Sequence, residues 1–271
     1  MGRVLIIVDN QEMSANVLHL AVNGIKEGRE HLYIGLLINQ FENSTISQNE
    51  SIISSHPALS EAEEKTLTLG NSFQNDLLNE GMASKICFGE CLNTKEIVKE
   101  TAFADLLIID SRTFADYLLE KDRFQSLRGI FEKAQCPLLV IPSNFKDFHE
   151  IIILKDSEEK VVKAVKSLKS TLTQSLRNAE VSLIGKVPNE EEEFQDEKRL
   201  MDFLKQYFRN VGIMLTPDEP FEDVAFDLIS KSQLPLVVMA GFDKRRIKNL
   251  ILPLITNSAK QDISLYIENP F

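Results

Sequence analysis

The chain has 271 residues, of which 43% are hydrophobic and 26% charged, and its formal net charge is −11. That composition belongs to a globular protein with enough chain for two cores. It contains no apolar run approaching the roughly 20 residues of a membrane-crossing helix, and its acidity disfavours a nucleic-acid partner, because a phosphate backbone would be repelled. The charge is uneven: residues 1–145 carry 12 basic and 20 acidic side chains, a net of −8, whereas residues 146–271 carry 18 and 21, a net of −3.

The first elements are read from periodicity. Residues 4–8 are a continuous apolar run ending on Asp9, as expected for a strand buried on both faces of a parallel sheet. The run is too short for a leader's hydrophobic core, so a cytoplasmic location is expected. Leu18, Ala21, Val22 and Ile25 recur at helical spacing, residues 31–38 read as a second strand, and residues 43–60 are a long Ser- and Asn-rich loop. A helix over 61–80 carries Leu67, Phe73, Leu77 and Leu78. Residues 85–88 form a third strand, 94–103 a helix, 106–109 a fourth strand, 124–134 a helix with Leu127, Ile130 and Phe131 on one face, and 138–141 a fifth strand.

After a short linker at 142–148 the pattern begins again. A strand at Ile151 leads to a helix with Val161, Val165, Leu168 and Leu172, and a strand over 180–184 follows. The acidic run 190–193 opens a helix carrying Leu200, Phe203, Leu204 and Tyr207, since carboxylates suit the positive end of a helix. The cycle closes with a strand at 212–215, a helix at 221–230, a strand at 236–239, a helix around 250–259 and a strand at 263–267. One unit is therefore repeated. Alternating strands and helices predict parallel βαβ units, hence an α/β chain of two tandem doubly wound five-stranded domains, residues 1–144 and 148–271. Ligands of such sheets bind beyond the carboxyl ends of the strands, where strand order reverses.

Conspicuous chemistry is sparse. Cys87, Cys91 and Cys136 are too few for a disulfide framework, and no second pair accompanies Cys87 and Cys91 to complete a zinc site. His19, His31, His56 and His149 are scattered, and no nucleophile elbow or phosphate-binding glycine loop of standard spacing is present. No catalytic or metal-binding residue is expected.

Several local patterns are together similar to the universal stress protein family, in two copies covering nearly the whole chain. They are Val8-Asp9-Asn10 and its counterpart Lys155-Asp156-Ser157; Gly89-Glu90; Ala104 to Ile109 with Ser111-Arg112; and Ala134-Gln135-Cys136-Pro137 leading into Leu138-Leu139-Val140-Ile141-Pro142. The resemblance implies the strand order 3-2-1-4-5 in each half and pairing of the two halves through strand 5, around Leu139 and Leu265. It also implies that Asp9 and Asp156 occupy the position that meets adenine and ribose in nucleotide-binding members. Those members carry two glycines after strand 4 and a Gly-Ser or Gly-Thr at the next helix, whose amides cradle phosphates.

This chain departs from that pattern. Asp110 replaces the first glycine and Thr113 the second, and Gly129 is followed by Ile130. A carboxylate there would repel a phosphate by about 1 to 4 kcal/mol. The second copy keeps Gly241, followed by a basic stretch containing Lys244 and Arg245. An Asp, Asn or Ser after strand 1 also suits a helix cap, which gives Asp9, Asn10, Asp156 and Ser157 a structural reading beside the ligand-binding one. The expectation is a non-enzymatic cytoplasmic stress protein without a cofactor, acting through a protein partner or a small ligand and capable of homodimerisation. The alternative is an ATP-binding protein, with slow ATPase activity, using the second copy. The candidate ligand residues are Asp9, Asn10, Asp110, Ser111, Arg112, Gly129, Asp156, Ser157, Gly241, Lys244 and Arg245.

Overall fold

The protein is described from a computed structural model. It defines residues 2–9, 32–39, 83–88, 94–111, 114, 129–130, 133–142, 145, 147–172, 176, 179–186, 191–216, 221–240, 245, 249–250, 253–254 and 263–268, with seven helical residues between 68 and 79. The strands are β1 (Gly2–Asp9), β2 (Leu32–Asn39), β3 (Ala83–Phe88), β4 (Leu106–Asp110), β5 (Leu138–Ile141), β6 (Glu150–Leu154), β7 (Glu180–Lys186), β8 (Val211–Thr216), β9 (Pro235–Met239) and β10 (Ser264–Ile267). The helices whose bounds are defined are α1 (Thr94–Thr101), α2 (Glu158–Thr171), α3 (Glu191–Tyr207) and α4 (Phe221–Lys231).

All ten strands join one sheet in the order β3-β2-β1-β4-β5-β10-β9-β6-β7-β8. Every neighbouring pair is parallel except β5 and β10, which run antiparallel with Leu265 opposite Val140, Tyr266 opposite Leu139 and Ile267 opposite Leu138. The sheet is therefore mixed, and its two halves point their carboxyl ends to opposite edges.

The apolar runs become interior strands because neither face meets water. Val4 to Ile7, Leu106 to Ile109 and Ile151 to Leu154 are buried throughout, and alternate side chains enter two cores. One core lies under α2 and α3 and contains Ile6, Ile108, Leu139, Ile153 and Tyr266; the other contains Ile7, Ile109, Val140, Leu154 and Leu265 and is covered by Ile97 of α1 and Phe221, Ala225 and Ile229 of α4. Both cores run unbroken across the β5–β10 junction.

The helices follow from their stripes and caps. In α2, Val161, Ala164, Val165 and Leu168 are buried at the i, i+3, i+4, i+7 spacing of one helix face. Its first residue is preceded by Ser157 in an extended conformation, whose hydroxyl accepts the Lys160 N–H at 3.4 Å, and Glu158 and Glu159 occupy the positive first turn. The helix expected over 94–103 stops at Thr101: the N–H groups of Ala102, Phe103 and Ala104 bond carbonyls three residues back at 3.1–3.2 Å, tightening the chain into the turn that feeds β4.

Other expectations are corrected. Leu78, read as part of an apolar stripe, is exposed. The segment between the halves is not a bare spacer: Phe145 and Phe148 are buried in the α2/α3 core with ring centroids 4.7 Å apart. The strands β3, β7 and β8 are longer than their apolar runs, because a ladder of backbone hydrogen bonds continues through polar residues such as Ser84, Lys186 and Thr216. The first predicted helix and the loop at 43–60 lie outside the described residues.

Candidate functional site

The carboxyl ends of β1 and β4 define the reversal of strand order in the first half, and those of β6 and β9 define it in the second. In the first half Ile7 is level with Ile109, which puts Asp9, the last residue of β1, and Asp110, the last of β4, at one edge. Asp110 is half-buried and paired with Ile141 of β5, Ser111 is buried, and the chain turns into a helical segment anchored by the fully buried Phe114. Asn10 and Arg112 lie outside the described residues. Gly129 is helical, half-buried and followed by buried Ile130, so its immediate neighbour serves the core.

In the second half Asp156 and Ser157 make the turn from β6 into α2. The cap is Ser157 rather than Asp156, whose carboxylate is exposed and forms an ion pair with Lys160 one helical turn on. Gly241 and Lys244 lie outside the described residues, and Arg245 is exposed on a helical segment. Because β5 and β10 are antiparallel, the candidates Asp9, Asp110 and Ser111 line one edge of the sheet while Asp156 and Ser157 line the other. A single small ligand cannot touch both sets.

Among the described residues, the most developed polar arrangement at either edge is centred on Lys155, outside the candidate ligand residues. Lys155, the first residue beyond β6, directs its ammonium to Glu197 of α3 at 2.8 Å and to Glu158 of α2 at 3.2 Å. The Lys155 and Glu197 side chains are 13% and 9% exposed, so this is a part-buried pair and not a surface one. Burial alone would lower the Lys155 pKa, but the hydrogen bonds and charges of Glu197 and Glu158 outweigh it and hold the ammonium above its ordinary value. The side chain lies across Gly185 of β7: a Cβ there would stand 3.0 Å from the Lys155 Cδ. Thr216, buried at the end of β8, donates its hydroxyl to the Gly185 carbonyl at 3.3 Å. The cluster ties β6, α2 and α3 together beside the Asp156–Ser157 turn, and with two carboxylates to one ammonium it offers an approaching anion no net attraction. The signal was present in the sequence: Glu197 stands three residues before Leu200 and seven before Leu204, on the buried stripe of α3.

Among the described residues no group of His, Cys, Asp and Glu is arranged to hold a metal, and no helix is long and apolar enough to cross a membrane. Cys136 is buried, and burial pushes its thiol up to about 12, which keeps it un-ionised.

No family model and no curated protein matches the sequence. Solved structures do match the fold. A universal stress protein from Archaeoglobus fulgidus DSM 4304 superposes with a TM-score of 0.59 at 14% identity, over 98% of this chain and 96% of its own. A candidate universal stress protein from Pseudomonas aeruginosa UCBPP-PA14 gives 0.54 at 12% identity over 98% and 93%. A functionally unknown protein from Pseudomonas aeruginosa PAO1 gives 0.56 at 13% identity over 99% and 92%. The chain has the universal stress protein fold.

Proposed function

We propose that this is a tandem universal stress protein, with repeats at residues 1–144 and 148–271, that works without catalysis through a protein partner or a small ligand in the cytoplasm. Numbered within each half, the ten-stranded order reads 3-2-1-4-5 followed by 5-4-1-2-3, which supports the tandem reading. The observation that carries the functional reading is Asp110. It stands where the chain leaves β4 at the strand-order reversal, the place where a phosphate cradle needs backbone amides and no carboxylate. The second edge supports the same reading, with Asp156 engaged by Lys160 and Lys155 by two carboxylates.

The test is equilibrium titration of the whole chain with a fluorescent ATP analogue, with and without magnesium, beside a phosphate-release assay. Absence of saturable binding and of turnover supports the proposal. Micromolar binding or steady phosphate release overturns it in favour of the nucleotide-binding alternative; Lys244→Ala with Arg245→Ala would then show whether the second copy is responsible.

A further inference from the structure

Two strands end the ten-stranded sheet, β3 and β8. An outer strand offers a row of backbone N–H and C=O groups to any other strand, and proteins commonly guard it with a charge or a proline. β3 carries Lys85 within its span. The six residues of β8, Val211 to Thr216, include neither guard. The strand is also bare on both faces. Ile213 and Met214 are 38% and 40% exposed, and as neighbours in a strand they point to opposite sides of the sheet. Gly212 beside them is exposed as well.

The ladder with β7 fixes which backbone groups of β8 face outward. Val181 of β7 is level with Val211, and its N–H bonds the Asn210 carbonyl at 3.0 Å. Asn210, Gly212, Met214 and Thr216 therefore turn their backbone groups to β7, and Val211, Ile213 and Leu215 turn theirs to the open edge. An antiparallel partner must match outward residues to outward residues. A two-fold axis at Ile213 does so along the whole strand. Ile213 then meets Ile213 of a second copy, Val211 meets Leu215, and Gly212 meets Met214. Ile213, Val211 and Leu215 of both copies share one face. On the other face Met214 lies across from Gly212, where a Cβ would find nothing beyond its chain neighbours nearer than the Val181 carbonyl oxygen at 3.9 Å.

We propose that β8 is a self-association edge, through which two copies of the chain join their sheets antiparallel about a two-fold axis at Ile213. The occupant is a second copy because β8 complements itself: both exposed apolar side chains are covered, and no charge is buried, since the strand has none. The strand also belongs to the half with a net charge of −3 rather than −8, so two such edges approach against less repulsion. The contact is isologous and closes after two copies. Pairing of β8 with β3 of another copy would instead meet Lys85 and leave a free edge at each end, the geometry of an open filament.

The experiment is sedimentation velocity of the whole chain from about 1 to about 100 µM. Wild type should pass from a 30.7 kDa species to one of twice that mass. Ile213→Lys and Ile213→Glu alter an exposed edge position, and thermal melting followed by circular dichroism checks that each variant is folded. Each alone should weaken dimerisation by at least about a hundredfold, because like charges face each other across the axis. Mixed in equal amounts, the two variants should form a one-to-one heterodimer, since a two-fold axis at residue 213 sets opposite charges face to face. The proposal is overturned if wild type stays at 30.7 kDa across the range, which would leave the edge to a strand of another protein. It is equally overturned if either variant alone dimerises like wild type, or if the mixture does not associate.

Discussion

Lys155 and Glu197 form a part-buried ion pair, 2.8 Å between Nζ and Oε1, that fastens the end of β6 to the middle of α3. Removing one member of such a pair strands the other charge in a poorly hydrated place, whereas replacing both with apolar groups removes the desolvation cost as well. Glu197→Ala should therefore destabilise the protein by about 2 kcal/mol in denaturant unfolding, less than the loss of a fully buried pair. The double variant Lys155→Met, Glu197→Leu should recover most of that loss. Equal damage in the single and double variants would show that packing, not charge, dominates the site.

Gly185 makes room for the Lys155 stem. With a Cβ 3.0 Å from the Lys155 Cδ, Gly185→Ala should cost about 1 kcal/mol, in the range of mild overpacking. The cost should vanish in a Lys155→Ala background, so the two substitutions should be non-additive in a double-mutant cycle. Additive effects would place the strain elsewhere.

At the seam, Leu265 is buried opposite Val140. Leu265→Lys puts an unpaired ammonium into a continuous apolar core, and a loss of at least about 3 kcal/mol is expected, with a clear drop in the melting temperature. Unchanged melting would mean that the two halves do not depend on each other through this pair of strands.

Cys136 should be chemically silent in the folded protein. A buried thiol pushed up to about 12 is hardly ionised near neutrality, and the thiolate is the reactive form. Iodoacetamide at about pH 8 should leave Cys136 unmodified in native protein and alkylate it in denaturant, as read by peptide mass mapping. Rapid native labelling would contradict the burial described.

Strand positions were legible because interior parallel strands are short, continuous and β-branched: Val4 to Ile7, Leu106 to Ile109 and Ile151 to Ile153 could be little else. The stripe of α2, Val161, Val165, Leu168 and Leu172, was legible for the analogous reason. The candidate site was much less so. Asp110, Asp156 and Ser157 became candidates through the family resemblance, yet periodicity cannot say which of two adjacent polar residues caps a helix, and the cap is Ser157. Lys155 and Glu197 are separated by 42 residues, and although its spacing from Leu200 and Leu204 puts Glu197 on the buried stripe of α3, nothing local names its partner. Their meeting depends on how α3 is laid over β6 and β7, which no local window contains. The same holds for Phe145 and Phe148: a seven-residue connection read as a linker from its position is packed by aromatic side chains that only the assembled core can receive.

We propose that the chain works without a bound nucleotide. The most direct measurement is the native mass of freshly purified protein beside its denatured mass. The native mass should be that of the chain, or of a whole number of copies of it, with no excess. A native species heavier by one ATP or ADP per chain, lost on denaturation, would contradict it.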